Sequence, residues 1–280
     1  MNADTFFAGC RAHRVCEDYA RSGCILQRPY IIVSDGCSSS PDTDMGARFL
    51  TLSAVRKLMQ VPDTLRAEEI IVGAASSVCL PLSPQCLDAT LLVAREVPTG
   101  VEVHVAGDGF VVARDVDKHL TIYEFDFRSA PAYLSYLLDP DRRKAYLQQG
   151  FGERTIRVWS LEAGPSPRPS LIGVHHDNPF TDKADYPTER VGPFWTRTFP
   201  KSRYDLVLVC TDGASAFQHK DTLEAVPFHE VIGRLIAFPN YAGEFVTRRV
   251  RHFVTKECAE LGWVQNDDLG VGTIYFGESG

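Results

Sequence analysis

Short apolar runs bounded by turn residues recur along the chain: Tyr30 to Val33, Ala89 to Ala94, Val101 to Ala106, Phe110 to Ala113, Leu120 to Phe125, Leu171 to Val174, Tyr204 to Cys210 and Val271 to Phe276. Their length and their content of Val, Ile, Leu and aromatic residues predict strands. The second and third runs are split by Val97-Pro98-Thr99-Gly100, a turn composition that predicts an antiparallel hairpin. The series reads as a meander, not as a doubly wound parallel sheet.

Helical periodicity appears in Met45 to Gln60, where Met45, Phe49, Leu52 and Leu58 or Met59 recur near one face. It appears again in Glu244 to Leu261, through Val246, Val250, Phe253, Val254 and Leu261, with Gly262 placed to end the helix. Shorter helices are expected over Arg66 to Val78, Pro131 to Leu138 and Arg142 to Gln148. Strand clusters interrupted by a few long helices favour two packed sheets with helices outside. Between Gly164 and Ser202 the pattern lapses, and prolines stand at 165, 167, 169, 179, 187 and 193. A stretch this long with one or two short elements is expected to be functional or mobile.

Composition narrows the class. The 280 residues carry 36 Asp plus Glu against 29 Lys plus Arg, a net charge of −7, with 44% apolar and 23% charged residues. A chain of this length buries roughly three-quarters of its unfolded surface and needs no disulfide scaffold. The acidic balance disfavours nucleic acid as the main partner, since phosphate binding draws on concentrated Lys and Arg. No apolar run reaches the length of a membrane span. Eight cysteines without a CxxC pair, behind a start with no signal-peptide core, point to free thiols in a reducing cytoplasm.

The candidate chemistry lies in a repeated pattern: an apolar strand that ends in a small residue, an aspartate and a glycine. It reads Val33-Ser34-Asp35-Gly36, Ala106-Gly107-Asp108-Gly109 and Cys210-Thr211-Asp212-Gly213. Two more acidic sites are Glu17-Asp18 near the N-terminus and Asn266-Asp267-Asp268 before the last strand. Carboxylates converging at the mouth of a sheet repel one another unless a cation sits among them. All-oxygen ligands favour Mg²⁺ or Mn²⁺ over zinc. Two such ions sharing a carboxylate suit phosphoester hydrolysis by an activated water.

The order of these motifs resembles the metal-dependent protein phosphatase family, protein phosphatase 2C, in its compact bacterial-type branch. The resemblance runs through His13-Arg14-Val15-Cys16-Glu17-Asp18, Asp35-Gly36, Asp44-Met45-Gly46-Ala47, Asp88-Ala89-Thr90, Gly107-Asp108-Gly109, Thr211-Asp212-Gly213 and Asp267-Asp268-Leu269. It implies one domain over residues 1–280, an α+β fold built as a four-layer α/β/β/α sandwich of two antiparallel sheets, and a flap at about 165–202. It further implies a phosphoserine or phosphothreonine protein substrate and two Mg²⁺ or Mn²⁺ ions, with a possible third. By the resemblance Asp35 bridges the ions, the Gly36 carbonyl binds the second, Asp212 and Asp267 bind the first, and Asp108 with Asp212 serves the third. Glu17 and Asp18 hold metal-bound waters. His13 stands where many relatives carry a phosphate-binding arginine, Cys37 where some carry a histidine, and Asp268 where the family has Asn. These departures motivate a second reading, a pseudophosphatase acting as a regulatory binding module. Oligomeric state is not legible in the sequence.

Overall fold

The computed structural model describes residues 1–161, 168–181 and 192–277. The chain opens with strands β1 (Asn2–Ala8), β2 (Tyr19–Ile25) and β3 (Arg28–Ser34), then helices α1 (Thr43–Gln60) and α2 (Ala67–Ala75). A meander follows through β4 (Leu91–Val97), β5 (Gly100–Ala106), β6 (Gly109–Asp115) and β7 (Leu120–Phe127). After α3 (Pro140–Gln148) come β8 (Arg154–Leu161), β9 (Pro169–Asp177), β10 (Trp195–Pro200), β11 (Tyr204–Cys210) and the short β12 (Phe217–His219). The C-terminal part carries α4 (Phe228–Leu235), α5 (Phe245–His252), α6 (Cys258–Leu261), β13 (Trp263–Gln265) and β14 (Leu269–Tyr275).

The strands form two large antiparallel sheets, one of seven in the order β1-β14-β11-β6-β7-β8-β9 and one of five in the order β10-β5-β4-β3-β2. Strand alternation assigns each side chain to a layer. Ile31 and Val33 of β3 meet Val111, Ala113, Val207 and Val209 between the sheets, while Tyr30 and Ile32 turn outward under α1 and α2. On the other face Leu206, Leu208 and Cys210 of β11 pack under α4, α5 and α6. The architecture is therefore the expected α/β/β/α sandwich. Each fully buried Leu, Ile, Val or Phe contributes about 1.5–3 kcal/mol, and a one-residue slip of β3 or β11 would exchange both layers at once.

Several details differ from the sequence reading. Pro131 to Leu138 is not a helix but a single 3₁₀ turn at Leu134–Leu137, where Leu134 and Tyr136 are buried. The helix expected from Glu244 to Leu261 is interrupted by a π-helical turn at Phe253–Glu257, and Gly262 ends it at φ 66°. Within α5 Arg249 is buried, its guanidinium donating to Glu257 at 2.8 Å and to the Arg234 carbonyl. Of the excursion at 165–202, residues 165–167 and 182–191 lie outside the described residues. The remainder supplies an edge strand to each sheet, β9 against β8 and β10 against β5. Among the described residues no helix is long and apolar enough to cross a membrane.

Candidate metal centre

The antiparallel registers bring the acidic motifs to one end of the sandwich. Tyr19 pairs with Ser34, Leu92 with Val33, Leu91 with Ala106, Phe110 with Cys210 and Val271 with Cys210. Asp18 precedes β2, Asp35 follows β3, Asp108 joins β5 to β6, Asp212 follows β11 and Asp267 precedes β14, so all five stand at that end. Asp108 sits where the chain passes from the five-stranded to the seven-stranded sheet. Its flanking residues, Gly107 at φ +94° and Gly109 at φ +122°, take a backbone that a side chain would strain, which explains why a glycine stands on either side of the aspartate.

A web of hydrogen bonds fixes these loops. The Asp35 N–H donates to Thr90 Oγ1 at 3.0 Å, the Thr90 N–H donates to the Asp35 carbonyl at 2.8 Å, and Gly36 bridges to Ala89. The Gly36 N–H donates to the Glu17 carbonyl, and the Glu17 carboxylate accepts from Ser38 at 2.6 Å and Thr43 at 3.3 Å. Asp18 is buried and accepts from the Thr211 hydroxyl at 2.7 Å, while its Oδ1 has no partner. A Cβ on Gly213 would lie 1.7 Å from the Asp268 carbonyl oxygen, so only glycine lets the Asp212 and Asp267 loops meet.

Burial raises the acids of this recess, and like charges add to the effect. Asp35 is pushed well above the usual carboxylate range by desolvation and by Asp18, Asp212 and Asp108. Desolvation likewise lifts Asp18 to about 7 and Asp212 to about 6, the latter helped by Asp267. Asp108 and Asp267 move up for the same leading reason. Asp35 in turn bears on both Asp18 and Asp212. Asp35, Asp108 and Asp212 keep some solvent access, so the recess is open to a ligand.

His13 and Asp268 meet at the N-terminal loop. Asp268 is almost fully buried and turns toward the N-terminal loop, accepting the N–H of Cys10 and of Glu17, each at 2.7 Å, with His13 Nδ1 at 3.1 Å. Burial would raise it, but these partners outweigh that and hold it below the usual range. It is a clasp for the loop and adds no bare charge to the recess. His13 also lies 3.6 Å from Asp267 and 3.8 Å from Glu17. Among the described residues, the groups of three that bring their ligand atoms within 4.8 Å of one another are Cys10–His13–Asp268 and Asp115–Asp117–His119. The second belongs to the β6–β7 turn at the opposite end of the sheet, where Asp115 accepts the His119 N–H. Asp35, Asp212 and Asp267 are not among these groups.

Two features escaped the sequence reading. Asp88 is a buried hub: Arg142 grips it with two hydrogen bonds of 2.9 and 2.6 Å, and it also accepts from Ser40 at 2.7 Å and Ser135 at 2.5 Å. It ties α3 and the loop after Asp35 to the floor of the recess. Tyr133 is the other, a buried phenol within hydrogen-bond reach of Cys37, raised by desolvation first and by that contact second. Neither α3, mostly polar, nor the turn holding Tyr133 carries a pattern that marks it as part of a site. Only the proximity of Asp88 to the Ala89-Thr90 motif hints at it.

Residues 10–132 match the family model described as protein phosphatase 2C. Over this span the chain is similar to protein phosphatase 2C. The matched span includes His13, Glu17, Asp18, Asp35, Gly36 and Asp108, whereas Asp212 and Asp267 lie beyond it, after β11 and before β14. Among solved structures, the fold is similar to a bacterial serine phosphatase, with a TM-score of 0.52, 13% identity and coverage of 100% of this chain and 99% of that one. It is also similar to the serine/threonine phosphatase Stp1 from Staphylococcus aureus, with a TM-score of 0.52, 11% identity and coverage of 99% and 96%. At such identities the likeness establishes the fold. No curated protein matches the sequence.

Proposed function

We propose that the chain is a metal-dependent serine/threonine phosphoprotein phosphatase. The observation that carries this reading is the character of the recess. The charges bearing most heavily on Asp35 are other carboxylates, Asp18, Asp212 and Asp108, and a buried oxygen of Asp18 lacks a partner. Such a set is costly as bare anions and suits hard divalent cations bound through oxygen. The residues therefore fit the expected Mg²⁺ or Mn²⁺ ions. Asp35, the Gly36 carbonyl, Asp212 and Asp267 would hold two of them, with Asp108 available to a third.

Bound there, the ions would supply Lewis acidity toward a phosphoryl oxygen and a nucleophilic water at neutral pH. The protein's own contribution is placement. Thr90 fixes the backbone of Asp35 from both sides, and Thr211 fixes Asp18 while accepting the Gly270 N–H at 2.9 Å. Glu17 and Asp18 stand behind the first carboxylates as acceptors for ordered water. His13, its ring raised above the ordinary range because Asp268, Asp267 and Glu17 together outweigh desolvation, supplies a cation at the rim where a phosphate would enter. We assign the excursion at about 165–202, which contributes the edge strands β9 and β10, the role of meeting the protein substrate.

Chelator-stripped protein should be inert toward an aryl phosphate and toward phosphoserine or phosphothreonine peptides, and regain activity with Mn²⁺ or Mg²⁺. Asp35→Asn should lower the restored rate by about 100-fold or more, the scale set by removing one preorganised electrostatic group. Activity that survives both chelation and this substitution overturns the reading. Release of phosphate from small phosphorylated metabolites but not from phosphopeptides would reassign the substrate.

A further inference from the structure

The segment from Gly9 to Asp18 forms no helix or strand, yet it is wound tightly about one carboxylate. Cys10, His13 and Cys16 follow one another at intervals of three residues. The Cys10 N–H donates to Oδ1 and the Glu17 N–H to Oδ2, while His13 Nδ1 lies 3.1 Å from Oδ2. The Cys10 sulfur, a His13 ring nitrogen and an Asp268 oxygen all fall within 4.8 Å of one another. The Cys16 thiol donates to the Asp18 carbonyl at 3.6 Å, and its sulfur and Asp268 Oδ1 each lie 3.8 Å from the position of a Cβ on Gly9. Both cysteines are free and half-buried, so an ion can reach them.

We propose that Cys10, His13, Cys16 and Asp268 form a zinc site separate from the Asp35 centre. The donor set is the reason for separating them. Two sulfurs and an imidazole are soft or borderline ligands that select zinc, whereas the Asp35 recess offers oxygen alone. Four ligands complete the tetrahedral shell of a structural site. On binding, each thiol loses its S–H proton to solvent and forms an S–Zn bond, and the His13 ring, a cation in the zinc-free loop, gives up its proton as well, so three protons leave per ion. Two thiolates, one carboxylate and a neutral imidazole leave the loaded site with a net charge of about −1 by this count. The ion would staple an irregular loop to the residue that opens β14, and with it hold Glu17 and Asp18 at the edge of the recess. Among irregular segments a metal clip takes the place of ladder hydrogen bonds as the source of order.

The site is tested with Co²⁺ as the probe on chelator-stripped full-length chain. One equivalent should produce a thiolate-to-cobalt charge-transfer band in the near ultraviolet, and Zn²⁺ should bleach it by displacement. The band should vanish in the C10S/C16S double variant and persist in Asp35→Asn and in Cys37→Ser, so the result is independent of whether the phosphatase reading holds. Wild-type protein without the band, or a band retained in the double variant, overturns the proposal. Alkylation mapped on the wild-type chain guards against a misfolded variant: Zn²⁺ should protect Cys10 and Cys16 and leave the exposed Cys24 and Cys79 reactive. Equal labelling of Cys10 and Cys16 with and without Zn²⁺ also overturns it.

Discussion

The hydroxyl of Thr211 donates to Asp18 at 2.7 Å and so joins the residue that follows β11 to the residue that precedes β2. One side chain thereby couples the two sheets beneath the recess, and Asp18 accepts there while its other oxygen stays unpaired. Thr211→Val keeps the shape and removes this bond and the acceptor for Gly270. Leaving buried polar groups unsatisfied costs about 1–3 kcal/mol, whereas Thr211→Ser should remain close to wild type. Chemical denaturation of the two variants checks this, and equal stabilities would contradict it.

Asp268 holds the N-terminal loop through the two backbone N–H groups of Cys10 and Glu17, one on each carboxylate oxygen. Asn, the residue at this position in the family it resembles, has a single carbonyl oxygen and must give up one of these acceptors. Asp268→Asn should therefore lower stability by about 1–2 kcal/mol, with Asp268→Ala lower still. Faster amide exchange at Cys10 and Glu17 should accompany the change. Unaltered exchange in Asp268→Asn would show that the clasp is not needed.

Arg142 reaches across from α3 to a carboxylate that is almost wholly buried. Removing one partner of such a pair leaves an uncompensated charge, and Arg142→Ala should cost about 3 kcal/mol. The double variant R142A/D88N should recover part of that loss, because the stranded charge is gone. A double variant no more stable than the single one would argue against the pair as a unit.

The raised acids make a pH prediction with a definite sign. Asp18 at about 7 and Asp212 at about 6 lie above the unfolded carboxyl value of about 4, so between those limits the metal-free folded chain binds protons that the unfolded chain does not. Their contribution to stability is present below about pH 4 and is lost as pH rises through 6 to 7. The melting midpoint of metal-free protein should thus fall between pH 5 and pH 8. Mn²⁺ competes with those protons, so its stabilising effect should be larger at pH 8 than at pH 5. A midpoint that rises over this range without metal would contradict the electrostatic account.

Where burial is strongly one-sided or complete, the sequence is a good guide. The run Tyr204 to Cys210 coincides with β11, and the Pro98-Thr99 turn joins β4 to β5 through the Val97–Gly100 pair. Strands with mixed patterning were not legible: β1 and β2 are largely half-buried, and β8 alternates Ile156 and Val158, buried between the sheets, with Arg157 and Trp159, which bond to Glu124 on the other face. Helix α4 was hidden by its brevity. In the recess, Asp35, Asp108 and Asp212 stood out because each follows or links strands and is flanked by glycine. Asp268 did not reveal its role, since its partners are backbone N–H groups some 250 residues away, which no local pattern encodes. Asp88 likewise depends on Arg142, a contact that exists only once α3 has docked.

Anomalous diffraction from crystals of the chain soaked in Mn²⁺ tests the central claim most directly. Two manganese peaks are expected in the recess, both within ligand distance of Asp35, one also touching Asp212 and Asp267. A soaked recess without manganese at Asp35, or manganese bound only elsewhere on the molecule, would contradict the assignment of this acidic cluster as the catalytic centre.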